Sequence, residues 1–158
     1  MKIALTGLCF LLMLNAPAWA RLGETGDQIV ARYGQPLSQI DQKALGKKVA
    51  LTVLIFQKNG YEIQVSLSDG VSDEESYRKL NGDVISLAEA RTLLTINAQG
   101  FGWEEPTDGN GVKIWTRDDA ATAILSDGGH SLTIASKDLI DKENAAKKAE
   151  TTPSLDGF

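Results

Sequence analysis

The sequence is poorest in the residue types that carry chemistry on their own. Its 158 residues include one cysteine and one histidine. The cysteine, Cys9, sits inside the apolar run "IALTGLCFLLML", which follows Lys2 and precedes "APAWA". A charged start, a short apolar run and small residues at Ala18 and Ala20 are the marks of a secretory signal peptide. The run is well short of the roughly 20 apolar residues that a membrane-spanning helix needs. Residues 1–20 are therefore expected to be removed, leaving no integral membrane segment. "LTGLC" places Thr and Leu where a lipoprotein signal wants Leu and a small residue, which argues against lipidation. The expected mature chain, Arg21 onward, holds 138 residues and no cysteine. It forms no disulfide, so a periplasmic or secreted fold must be held by packing alone.

Other absences narrow the chemistry. Zinc is disfavoured by one histidine and no mature thiol. There is no Gly-x-Ser-x-Gly elbow, and the glycine pairs lie at hairpin turns rather than between a strand and a helix, so they do not cradle phosphate. The net charge is −5, or −6 once Lys2 is removed. A mildly acidic surface without a basic cluster argues against nucleic acid and against anionic lipid. No cofactor is expected.

What is present is pattern. In "LGETGDQIVARYGQP", Leu22 to Pro36, Thr25 and Gln28 have capping-box spacing. Asp27 suits the positive end of a helix dipole, and Ile29, Val30 and Tyr33 share one face. Gly34 and Pro36 then stop a helix expected over 25–33. "LSQIDQKALGKK" has no period and reads as a loop that leads into a strand. "VALTVLIFQ" (49–57) is β-branched and apolar on both faces, as a central strand would be. Asn59-Gly60 is a type I′ turn signal. "YEIQVSLS" (61–68) alternates, with Tyr61, Ile63, Val65 and Leu67 on one side. After a second turn at Asp69-Gly70, "VSDEESYRK" reads as an edge strand whose acids, "DEES" at 73–76, blunt an exposed edge.

The pattern then restarts. Ser86 and Glu89 form a second capping box ahead of Leu87, Ala90, Leu93, Leu94 and Ala98, with Gly100 as the stop. The loop "FGWEEPTDGNG" precedes three short strands in "VKIWTR", "AATAIL" and "HSLTIAS". The expected organisation is a signal peptide (1–20), one domain (21–136) and a polar tail (137–158), partly helical and then disordered. Hairpin-joined strands beside helices give an α+β fold, an antiparallel sheet with helices packed on one face. The order suggests two tandem helix–hairpin units. Two capping boxes weigh against the alternative, an all-β barrel.

Gly23, Thr25, Ile29, Gly34 and Pro36 resemble the first-helix pattern of the exported α+β family that includes the outer-membrane-assembly lipoprotein small protein A. The β-lactamase-inhibitor-like proteins share that architecture of tandem helix–hairpin units. The opening is also similar to a family of secreted proteins beginning "LGET…ARYG…P". The resemblance covers about fifteen residues, which are cap and stop positions, and it implies the fold rather than a function. The chain departs from both groups, lacking the lipidated cysteine of the first and the disulfides of the second.

Candidate sites are few. His130 has Asp127 and Ser131 close in sequence, too close to build a triad, and is expected at a strand start facing partly inward. Glu104, Glu105, Asp108 and Asn110 supply oxygen ligands without the spacing of a calcium loop. Trp115 alternates with Ile114 and shares parity with Lys113 and Arg117. An exposed tryptophan flanked by cations, with Trp103 in the preceding loop, is a candidate binding surface. The competing reading covers that face with the second helix and makes Trp115 core. The leading expectation is thus a non-enzymatic exported module that binds another exported or envelope protein. A carboxylate hydrolase with an acidic cleft and a small-ligand protein with an apolar cavity are the alternatives.

Overall fold

The computed structural model describes residues 21–41, 51–109 and 111–151. The expected signal peptide, the opening residues of the 49–57 strand, Asn110 and the segment from 152 to 158 lie outside the described residues. The chain runs α1 (Gly26–Tyr33), β1 (Ser38–Asp41), β2 (Leu51–Lys58), β3 (Tyr61–Ser68) and β4 (Val71–Lys79). It continues with α2 (Leu87–Ile96), β5 (Thr107–Gly109), β6 (Val112–Thr116), β7 (Thr122–Leu125), β8 (Leu132–Ala135) and α3 (Lys137–Thr151). All eight strands join one antiparallel sheet in the order β1-β2-β3-β4-β8-β7-β6-β5. The fold is mixed α+β.

Local chemistry accounts for most element ends. Both capping boxes form: the Gln28 amide donates to the Thr25 hydroxyl and the Thr25 amide to the Gln28 side chain, and Ser86 and Glu89 repeat this. Each closes two amides that a helix start leaves open. Gly34 adopts φ 91°, a backbone that favours glycine, and ends α1. Asn59-Gly60 and Asp69-Gly70 both have two consecutive positive φ values, as type I′ hairpins require. The stop of α2 falls at Asn97 rather than Gly100.

The register aligns side chains into rows. Leu54, Val65, Glu75, Ile134, Ala123 and Trp115 lie side by side across β2, β3, β4, β8, β7 and β6, and all six are buried. The next row carries Phe56, Ile63, Tyr77, Leu132 and Leu125. These rows form one hydrophobic core with Ile29 of α1 and Ala90, Leu93 and Leu94 of α2. Burying a side chain of this size contributes roughly 1.5–3 kcal/mol.

Two elements differ from the sequence reading. "VSDEESYRK" is not an edge. As β4 it pairs with β3 on one side and β8 on the other, so the strand that closes the sheet arrives from the far end of the domain. The loop "FGWEEPTDGNG" also contributes the three-residue strand β5 at one edge of the sheet, with β1 at the other. At the C-terminal end the Leu139 amide donates to the Ser136 hydroxyl, starting α3, which packs on β4. There burial pushes the Asp73 and Glu74 carboxyls up, and Lys142 of α3 opposes the rise at Asp73.

Candidate functional site

The most unusual group in the core is Glu75, fully buried in the row between Val65 and Ile134. Its Oε2 accepts a 2.7 Å hydrogen bond from the Tyr77 hydroxyl two residues along β4, on the same face. Tyr77 in turn accepts from Nδ2 of Asn97, at the end of α2, across 3.0 Å. Its hydroxyl lies 3.4 Å from that of Tyr33 in α1. The network therefore ties both helices to the central strand. Burial pushes the Glu75 carboxyl up from 4.5 to about 7, opposed by the Tyr77 hydrogen bond, the Arg32 charge and the Asn97 amide. Burial and the neighbouring Glu75 hold the Tyr77 phenol well above its ordinary range.

Arg32, in the last turn of α1, pairs with Glu24, just ahead of that helix. Five buried polar atoms in this neighbourhood lack a hydrogen-bond partner among the described residues. They are Oε1 of Glu75, Oδ1 of Asn97, Oε2 of Glu24, and Nε and Nη1 of Arg32.

Tyr77 also faces a cleft. Tyr33, Tyr61, Tyr77, Ile63, Leu93 and Ile96 line a mostly apolar recess of about 160 Å³ between α1, the β2–β3 hairpin and α2. Tyr61 and Tyr77 meet edge to face at 6.5 Å. Lys58 and Glu89 stand at the recess, and both are engaged. The Lys58 ammonium donates to the Arg32 carbonyl at 2.6 Å, and Glu89 pairs with Lys79 at 2.7 Å. The Lys79 hydrogen bond and the Ser86 amide hold the Glu89 carboxyl down to about 2. The recess thus presents ring faces and alkyl groups, with its charges already compensated.

The sequence-derived candidates fall elsewhere. Trp115 and Arg117 are each only 2% exposed, so the sheet face they occupy is interior, as the competing reading had it. The arginine is satisfied there: Nε and Nη2 donate to the Asp119 carboxylate at 2.7 Å and Nη1 to the Asn97 carbonyl at 2.5 Å. Its guanidinium also lies 5.4 Å from the Phe101 ring and 5.5 Å from that of Trp103. Charge flanking a tryptophan marked a buried, neutralised arginine and not a surface. Trp103 is half-buried, with its indole donating to the Leu94 carbonyl at 2.8 Å. His130 is exposed and caps the 3₁₀ turn Asp127–Gly129, two residues short of β8, rather than starting the strand.

The acidic loop is bridged to neighbours: Glu105 pairs with Arg91 at 2.7 Å and Asp108 with Lys113 at 2.6 Å. No cluster of three metal-ligating side chains occurs among the described residues. Ser76 and Lys79 have the Ser-x-x-Lys spacing, but on a strand that spacing sends them to opposite faces. Ser76 meets Thr133 at 3.2 Å while Lys79 meets Glu89.

No protein-family model matches the sequence, and a search of curated proteins finds no match. Among solved structures, a cysteine-rich secretory protein from Staphylococcus aureus is similar at a TM-score of 0.42 and 10% identity. The match covers 75% of this chain and 46% of that one, so the chain spans about half the length of that protein. Among the described residues no helix is long and apolar enough to cross a membrane.

Proposed function

We propose that this protein is an exported, non-enzymatic binding module, acting in the periplasm or outside the cell once residues 1–20 are removed. It takes one ring-sized apolar group, the side chain of another exported or envelope protein, into the recess between α1 and α2. The observation that carries this reading is the recess itself, walled by three tyrosines and three aliphatic side chains. An apolar cavity of about 150 Å³ accommodates a benzene ring, so one aromatic or branched aliphatic side chain matches its size. Anchors of that kind dominate interface energetics when seated in a dry pocket. The engaged charges of Lys58 and Glu89 favour a neutral occupant.

The tandem reading belongs with this proposal. Each half of the chain runs from a capped helix to four strands, and the recess lies where the two helices approach the first half's hairpin. That arrangement supports the kinship with small protein A and the β-lactamase-inhibitor-like proteins that the opening motif implies. The carboxylate-hydrolase alternative has less support, because Glu75 is sealed from solvent and the recess is apolar. A free aromatic molecule is a second occupant of the same size.

The test is a photo-crosslinking residue at Thr92, exposed on the α2 side of the recess, with the same residue at exposed Ile124 as the control. Introduced in cells that export the protein, the Thr92 probe should give one discrete protein adduct that the Ile124 probe does not. Absence of such an adduct overturns the protein-partner reading. Indole or p-xylene raising the melting temperature of the wild type, and not of Thr92→Trp, would then assign the recess to a free ring.

A further inference from the structure

Around α1, one guanidinium pairs with one carboxylate, Glu24, and acts electrostatically on a second, Glu75. Arg32 holds Glu24 through Nη2 and retains two buried donors, Nε and Nη1, without partners among the described residues. On the acceptor side, Glu24 Oε2 and Glu75 Oε1 are likewise unpartnered. Two spare donors therefore match two spare acceptors, one on each acid. Arg32 and Glu75 already interact electrostatically, each favouring the charged form of the other.

The groups that face this cluster are few. From α1 and its lead-in come Arg21, Glu24, Arg32 and Tyr33. From β4 comes Tyr77, from α2 the neutral Asn97, from β3 Tyr61, set edge-on to Tyr77, and from β2 Lys58, whose ammonium donates to the Arg32 carbonyl. Arg117 of the segment after β6 reaches only the Asn97 carbonyl. Val65 and Ile134 flank Glu75 with apolar surface. No carboxylate besides Glu24 and Glu75 is among these groups.

We propose that a single proton on Glu75 decides how Arg32 is shared, so that the cluster is a pH-operated latch on α1. With Glu75 neutral, Arg32 pairs with Glu24 alone. When Glu75 gives its proton to water, a buried anion appears, and Arg32 is the cation whose charge acts on it. The guanidinium then turns its spare donors toward Glu75 and bridges the two acids. Arg32 is followed by Tyr33 in the chain, and its carbonyl receives the Lys58 ammonium at 2.6 Å. The latch therefore sits beside one wall of the recess, and the Tyr33 ring is the group there that would report it. The position of the Glu75 carboxyl, about 7, places the change near neutral pH. The latch rests on the cluster and is independent of what fills the recess.

The experiment is an NMR titration of isotope-labelled protein from pH 5 to 9, following the Glu75 carboxyl carbon, the Arg32 Nε and the Tyr33 ring. Expected is one shared midpoint near neutrality for all three. In Glu75→Gln, the Arg32 and Tyr33 signals should stay flat over this range. In Glu24→Gln, Arg32 has no competing acid, and the Glu75 midpoint should move at least tenfold in proton concentration toward acid. A Glu75 carbon that titrates while Arg32 stays flat overturns the latch. So does a Glu75 that fails to titrate in this range, or an Arg32 titration that persists in Glu75→Gln. If Glu75→Gln fails to fold, the wild-type midpoints and the Glu24→Gln shift decide the matter alone.

Discussion

Val65 of β3 sits opposite Glu75 of β4, one residue out of the register that the Asp69-Gly70 turn sets for the rest of the hairpin. Near the turn, Ser68 pairs with Val71 and Leu67 with Ser72, and unbroken pairing would have put Glu74 opposite Val65. A bulge at Ser66/Leu67 inserts one residue into β4 and shifts every later side chain to the other face. The bulge thus decides which of two adjacent glutamates enters the core. Glu75 is the one that meets Tyr77 and Asn97 and feels the charge of Arg32.

Stability should carry the signature of that acid. The Glu75 carboxyl rises from 4.5 to about 7 on folding, so the folded state binds the extra proton. Its contribution is fully present below about pH 4.5 and is lost as pH rises through about 7. The span corresponds to something on the order of 3 kcal/mol. Glu75→Gln should remove this slope and be more stable than the wild type at pH 8, as read by urea unfolding at a series of pH values. A wild type whose stability does not fall between pH 5 and 8 would contradict it.

Tyr77→Phe removes the hydroxyl that Glu75 and Asn97 share while keeping the ring that lines the recess. Leaving buried partners unsatisfied costs about 1–3 kcal/mol. The loss should be larger at pH 8 than at pH 5, because the ionised carboxylate depends more on that donor. Denaturant melts at both pH values measure the difference.

Trp115→Ala and Arg117→Ala should behave as core mutations. Truncating a buried tryptophan costs roughly 3–5 kcal/mol, a large share of a domain stability of about 5–15 kcal/mol. The arginine change exposes the buried Asn97 carbonyl and frees Asp119, at about 1.5–3 kcal/mol. Thermal melts of each variant test this. A folded, fully stable double variant would return these residues to the surface.

Thr25→Ala and Ser86→Ala should each cost about 1 kcal/mol by opening a capping box. The two boxes belong to different helices and share no partner, so the double variant should show the sum. Chemical denaturation of the three variants suffices.

Much of this architecture is legible in the residues. Both helix starts, both type I′ hairpins and the alternation of β3 follow from local chemistry, because their causes lie within four residues of their effects. The position of β4 does not. Its acids look like an edge, since Arg32 of α1, Asn97 at the end of α2 and Lys142 of α3, which favour the charged forms of Glu75 and Asp73, lie far away in sequence. The bulge that selects Glu75 leaves no mark in "VSDEESYRK". The recess was equally hidden, for Tyr33, Tyr61 and Leu93 become neighbours only once both helices and the hairpin are in place. Trp115 illustrates the reverse: its local pattern assigns it to one face of a strand, while the face that lies inside depends on α2.

The strand order has a consequence for the way the molecule comes into being. β4 lies at the middle of the sheet, yet its second neighbour is β8, the last strand among the described residues. A chain that emerges from its N-terminus therefore waits more than fifty residues, from Lys79 to Leu132, with the hydrogen-bonding edge of β4 bare. The early half is a sheet with an open margin until the final strand slots in beside it. Assembly is sealed from its centre, and late.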